Sequence, residues 1–214
     1  MKQKSEMILA DLIQRYPPLK ACGEEIGRAC LLLINSYQNG GKLLICGNGG
    51  SAADADHIVG EMMKGFKLRR NLPQSQCDRL TDAFPEDGCY LANHLQGALP
   101  AISLIGQTAL SSAFVNDVAA DMVFAQQVFG YGKPGDVLMG LSTSGNSKNV
   151  VNAVKVAKAF GLKTISLTGI SGGAIKGLCD VTIQAPATET FQIQEYHLPV
   201  YHALCAATEA EFFD

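Results

Sequence analysis

The sequence predicts an α/β fold, a five-stranded parallel sheet with helices on both faces, preceded by two N-terminal helices. Five short apolar runs alternate with helical stretches of ten or more residues. Strands that are apolar throughout belong to sheets covered on both sides, which makes three layers. The composition can fill such a core: of 214 residues 47% are hydrophobic and 17% charged, which excludes a disordered chain. Trp is absent and aromatics are 7%, so the core is aliphatic. With no tandem repeat and no low-complexity linker, residues 1–214 read as one domain.

Ser5–Tyr16 carries Met7, Ile8, Leu12 and Ile13 at helical spacing, and Pro17-Pro18 stops it. Leu19–Tyr37 repeats the pattern with Ile26, Cys30, Leu33 and Ile34, and ends at Asn39-Gly40-Gly41. Their apolar faces need a partner, the sheet or another subunit. The first strand, Lys42–Gly47, leads into a helix over Ser51–Lys64. The second, Pro100–Ile105, precedes a helical stretch through about Gln127. The third, Asp136–Ser142, precedes a helix over Lys148–Phe160. Lys163–Thr168 and Asp180–Gln184 complete the strands, and a last helix covers Thr190–Glu211. Residues 66–99 mix Arg, Pro, Asp and Gly with few periodic positions. They are expected to form a long insertion without regular structure, a surface excursion or else a lid or interface.

Charge and composition exclude several functions. The net charge is −3 and no Lys/Arg cluster stands out, so nucleic acid is not expected as the main ligand. No apolar stretch has the length of a membrane span, and the first residues lack the features of a signal peptide. The seven cysteines contain no CxxC pair and suit small buried side chains in a reducing cytoplasm, a thiol catalyst or Cys-ligated zinc being the alternative.

In a parallel sheet ligands sit beyond the carboxyl ends of the strands, and two loops there are unusual. Gly47-Asn48-Gly49-Gly50-Ser51 follows the first strand and opens a helix, where free N–H groups favour an anion. Ser142-Thr143-Ser144-Gly145-Asn146-Ser147 follows the third strand and offers four hydroxyls. Neither has the lysine of a P-loop or the dinucleotide glycine pattern. Glycine and serine also cap ordinary helices, but two such loops on one sheet edge indicate a phosphorylated small molecule.

The helix after the glycine loop carries Asp54, His57 and Glu61. His57 and Glu61, four apart, share a face and can ligate one metal or form a simple hydrogen-bonded pair. The last helix adds Gln194, Glu195, His197 and His202. Gln194 and His202 lie about 80° apart around that helix, near enough to line one groove; His197 falls elsewhere and reads as structural or interfacial.

The segments GNGGSAADADHIVGE, LSTSGNSKNVVNAV, TISLTGISGG and QIQEYHLPVYH, in this order, resemble the sugar isomerase (SIS) domain family, a Rossmann-like fold. The serine loop marks the superfamily; His-x-x-x-Glu with Gln-Glu and the later His is similar to the phosphoheptose isomerase branch. The resemblance covers the chain apart from residues 66–99. It implies conversion of sedoheptulose 7-phosphate to D-glycero-D-manno-heptose 7-phosphate through a metal-assisted enediol in a cytoplasmic homotetramer, with sites at subunit boundaries. It implies one Zn2+ per subunit on His57, Glu61, Gln194 and His202, with Glu61 and His202 as the acid/base pair. It places the sugar phosphate on Asn48, Gly49, Gly50, Ser51, Asn116, Asp117, Ser142, Thr143, Ser144 and Ser147, with Glu61 and Gln194.

Two departures stand out. The family has an arginine just past the glutamate helix where residues 62–67 offer only lysines. It has an aspartate shortly before the Gln-Glu pair where Phe191-Gln192 stands. The substrate therefore stays open to another phosphosugar. A non-catalytic SIS adaptor, binding a phosphosugar or a replication protein, is the rival from a different class; the complete ligand set argues against it.

Overall fold

The computed structural model describes residues 1–214. Helix α1 (Gln3–Arg15) and α2 (Gly23–Gln38) come first, joined by a 3-10 turn over Pro17–Cys22. Where periodicity suggests one helix from Leu19, the two prolines at the start of this segment hold it in the tighter turn. Then follow β1 (Leu43–Cys46), α3 (Gly50–Met63), α4 (Gln74–Ala83), α5 (Gly88–His94), β2 (Ala101–Ser103), α6 (Thr108–Asp117) and α7 (Val123–Tyr131). The chain closes with β3 (Val137–Leu141), α8 (Lys148–Ala159), β4 (Lys163–Thr168), β5 (Val181–Gln184) and α9 (Thr190–Phe213).

All five strands are parallel, in the order β2-β1-β3-β4-β5. Alternate residues face opposite layers, and in β1 and β3 both sets are buried. Leu43, Ile45, Val137, Met139 and Leu141 join α1, α2, α3 and α9 in the larger core. Leu44, Cys46 and Leu138 pack with α7 and α8 in the smaller one. The three-layer arrangement expected from uniformly apolar strands is therefore present. Cys22, Cys30, Cys46 and Cys205 are buried free thiols; burial pushes Cys22 up to about 11 and Cys30 up to about 12. No helix is long and apolar enough to cross a membrane.

Two expectations change. Residues 66–99 are not irregular: α4 and α5 form a helical hairpin on the surface, and α4 buries no residue. The signal was weak there because α4 is polar and carries only Cys77 and Leu80 as a short stripe, enough for helices packed mainly on each other. The stretch before Gln127 is not one helix either. Ala119 is extended, with φ −163° and ψ 128°, and the amides of Val118 and Ala119 both donate to the Phe114 carbonyl, closing α6.

His197 is buried on α9, and its Nε2 lies 3.2 Å from the Thr168 carbonyl at the end of β4. This is the structural role its position suggested. Burial holds its imidazole down at about 4, so the folded chain keeps it neutral. Between the ordinary value near 6.5 and 4 the unfolded chain binds a proton that the folded chain refuses. Stability should therefore be full above pH 6.5 and fall as pH drops towards 4, by about 3 kcal/mol. Urea unfolding of chelator-treated protein at pH 7 and 4.5 checks this; His197→Gln should lose less over the same interval.

Candidate active site

Because β1 and β3 are neighbours, paired from Leu43–Val137 to Cys46–Gly140, the loops that follow them adjoin. They meet at the point where β2 and β3 depart to opposite sides of β1, where a ligand crevice forms. The side-chain amides of Asn48 and Asn149 donate to each other across it, at 3.0 and 2.8 Å. Gly49 has φ +57°, a conformation that favours glycine. A Cβ on Gly50 would lie 2.6 Å from Nε2 of Gln194, so the first turns of α9 rest on the start of α3. Ser51 is buried behind them.

In the serine loop, Ser142 Oγ and Ser147 Oγ are 3.0 Å apart, and Ser144 Oγ accepts the Asn146 amide. Gly145 has φ +67°, and a Cβ there would collide with the Gly172 carbonyl; one on Gly173 (φ +56°) would collide with the Ser144 carbonyl. The glycines of the segment after β4 thus allow two backbones to lock together, fastened by the Ala174 amide on Asn146 Oδ1 at 2.9 Å. The result is a cleft of about 320 Å³ lined by Thr143, Ser144, Asn146, Ser171 and Thr190 among others, with no charged side chain. Hydroxyls and amides alone can hold phosphate here.

The second half of the site is where α3 meets α9. His57 Nε2 is 3.2 Å from Glu61 Oε1. The His57 and His202 rings meet edge to face with centroids 5.0 Å apart. Glu61 Oε2 is buried without a hydrogen-bond partner; Lys64 Nζ, at 3.6 Å, is beyond bonding distance. Burial, then the neighbouring His57, lowers the His202 pKa, while Glu61 opposes them. His202 borders a cavity of about 500 Å³ between α1 and α9, with Lys4, Asp11 and Arg15 on its walls.

The donor set suits zinc: two imidazoles and a carboxylate with one unsatisfied oxygen. Ligands at zinc's usual bond lengths stand about 3.3 Å apart across a tetrahedron, near the His57–Glu61 separation. The structure gathers His57, Glu61 and His202 into one cluster, although no three His, Cys, Asp or Glu side chains converge tightly enough to hold an ion as they stand. Gln194 lies two helical turns from His202, with its amide at Gly50. Asn116 and Asp117 are exposed at the end of α6 and bond to each other at 2.8 Å.

Three residues that sequence reasoning passed over also shape the site. Tyr201 contacts His57 and Asp54. Arg70 and Glu209 form a fully buried ion pair at 2.8 Å. Arg70 is the first arginine but one after α3; it is not a substrate cation, because its guanidinium is spent on Glu209 and on the Glu61 and Met62 carbonyls. Glu209, an acid in the apolar run that ends α9, was the one visible signal.

Comparison with known proteins decides the family. The SIS-domain profile matches residues 18–77 and 81–169. The phosphoheptose isomerase of Nitratiruptor sp. is 38% identical over 97% of this chain and 99% of its own. That of Helicobacter pylori is 40% identical over 91% of this chain and 88% of its own. The chain belongs to the SIS-domain family, in its phosphoheptose isomerase branch. Solved phosphoheptose isomerases agree: the Neisseria gonorrhoeae structure has a TM-score of 0.73 at 35% identity, covering 94% of both chains. The Francisella tularensis structure has 0.75 at 29% identity, covering 98% of this chain and 100% of its own. This SIS-domain isomerase departs from one expectation: the family match runs through most of residues 66–99, pausing only at 78–80.

Proposed function

We propose that the chain interconverts sedoheptulose 7-phosphate and D-glycero-D-manno-heptose 7-phosphate through an enediol. The observation that carries the reading is the unsatisfied, buried Glu61 Oε2 beside His57 and His202. Aldose–ketose conversion needs a base for a carbon-bound proton and a second group for the oxygen proton. Glu61 Oε2 takes the proton from the carbon next to the carbonyl and returns it to the neighbouring carbon. His202 carries the proton between the two oxygens. The serine loop, with Asn48, Gly49 and Gly50, holds the phosphate and so fixes which carbons face Glu61. Zinc held by His57, Glu61, Gln194 and His202 would supply positive charge to the oxyanion.

A homotetramer with shared sites accompanies this reading. In support, Asn116 and Asp117, which the resemblance puts against the sugar, are exposed at the end of α6.

The test is conversion of sedoheptulose 7-phosphate and a panel of other ketose phosphates, before and after chelation. The expected result is about one zinc per chain, turnover lost with the metal and recovered on adding zinc. A chain that binds phosphosugars but isomerises none overturns the enzyme reading in favour of an adaptor. Full turnover after complete metal removal overturns the zinc.

A further inference from the structure

Asp54, His57 and Glu61 occupy one face of α3, spaced three and four residues apart, so all three look towards α9. Tyr201, only 1% exposed, projects from α9 between the first two. Its hydroxyl donates to Asp54 Oδ1 at 3.2 Å and lies 3.0 Å from His57 Nδ1. The phenol ring meets the His57 ring edge to face, with centroids 5.6 Å apart.

A hydroxyl has one proton to give. With that proton on the Asp54 carboxylate, the oxygen can only accept from His57, so Nδ1 must bear the hydrogen. The lone pair of His57 is then on Nε2, the nitrogen that faces Glu61 Oε1. Outer partners of this kind orient a ligand ring and select its tautomer.

We propose that Tyr201 is a positioning residue: held by Asp54, its hydroxyl fixes the Nδ1–H tautomer of His57 and presents Nε2 to a divalent metal beside Glu61. The phenol does not touch the reacting atoms. It works through the imidazole, and Asp54 works through the phenol. The statement rests on the zinc reading above, because with no cation between them a bare Nε2 and Glu61 Oε1 would be two acceptors 3.2 Å apart.

Two measurements test it. In zinc-loaded protein, nitrogen NMR should show His57 with its hydrogen on Nδ1, and Tyr201→Phe should make that hydrogen exchange faster with water, because its acceptor is gone. In competition with a chelating dye, Tyr201→Phe should weaken zinc binding by about 10- to 100-fold with thermal stability little changed. Asp54→Asn, which keeps an acceptor for the hydroxyl, should retain affinity within a few-fold, whereas Asp54→Leu should match Tyr201→Phe. Zinc on Nδ1 in the wild type, or a Tyr201→Phe protein with unchanged exchange and affinity within twofold, overturns the proposal. Wild-type protein that binds no zinc sinks the zinc reading instead.

Discussion

Glu61→Gln should lower kcat by about 10²- to 10⁴-fold while the protein still folds and binds substrate. Glutamine keeps the length and an oxygen that can face a metal, so what it removes is the base. The fold should hold because Glu61 Oε2 makes no hydrogen bond whose loss would be felt. His202→Asn should cost a similar factor, since the imidazole is the other proton carrier of the pair. The double variant should lose less than the product of the two, because groups that act in one proton circuit are not independent. Calorimetric binding of the substrate, slow to turn over in these proteins, separates lost chemistry from lost binding. Full turnover in both single variants would remove these residues from the mechanism.

Arg70→Met should destabilise the fold by about 3–5 kcal/mol, the usual cost of stranding one member of a buried ion pair. Glu209 would keep its charge inside the protein with no cation. The Glu61 and Met62 carbonyls at the end of α3 would lose their donors as well. Glu209→Leu should be at least as damaging, since its carboxylate also accepts the amides of Phe66, Lys67 and Leu68. In a chain of this size 1 kcal/mol is worth about 2–4 °C, so melting temperatures should fall by roughly 10 °C. Removing both charges should not restore stability, because those three amides would remain unpaired. A shift within experimental error would mean that water replaces the pair.

Much of this was open to inspection before folding was considered. The strands Lys163–Thr168 and the helix begun at Lys148 follow from short-range patterns, apolar runs and polar starts. The serine loop, the glycine loop and the His57–Glu61 pair are also local: each is read within six residues. The helical hairpin over 74–94 was not, because its helices rest mainly on each other, and α4 is so polar that its short stripe of Cys77 and Leu80 gives little signal. The break at Ala119 was not, because no proline or glycine marks it.

What the sequence alone determined is the class of the fold, the two loops at strand ends and the residue types able to move protons. These depend on spacing along a few turns, which backbone geometry makes nearly automatic. What the tertiary structure decided is adjacency. The two loops share one crevice because β3 pairs with β1. Tyr201 reaches His57 across 144 residues, and Arg70 finds Glu209 across 139. The reason is physical: a helix or strand is specified by its neighbours in the chain. Which faces meet is settled only when separate elements bury their apolar sides together, and that burial is non-directional. The polar atoms trapped by it then pair with whatever lies opposite, as Asp54, Tyr201 and His57 do.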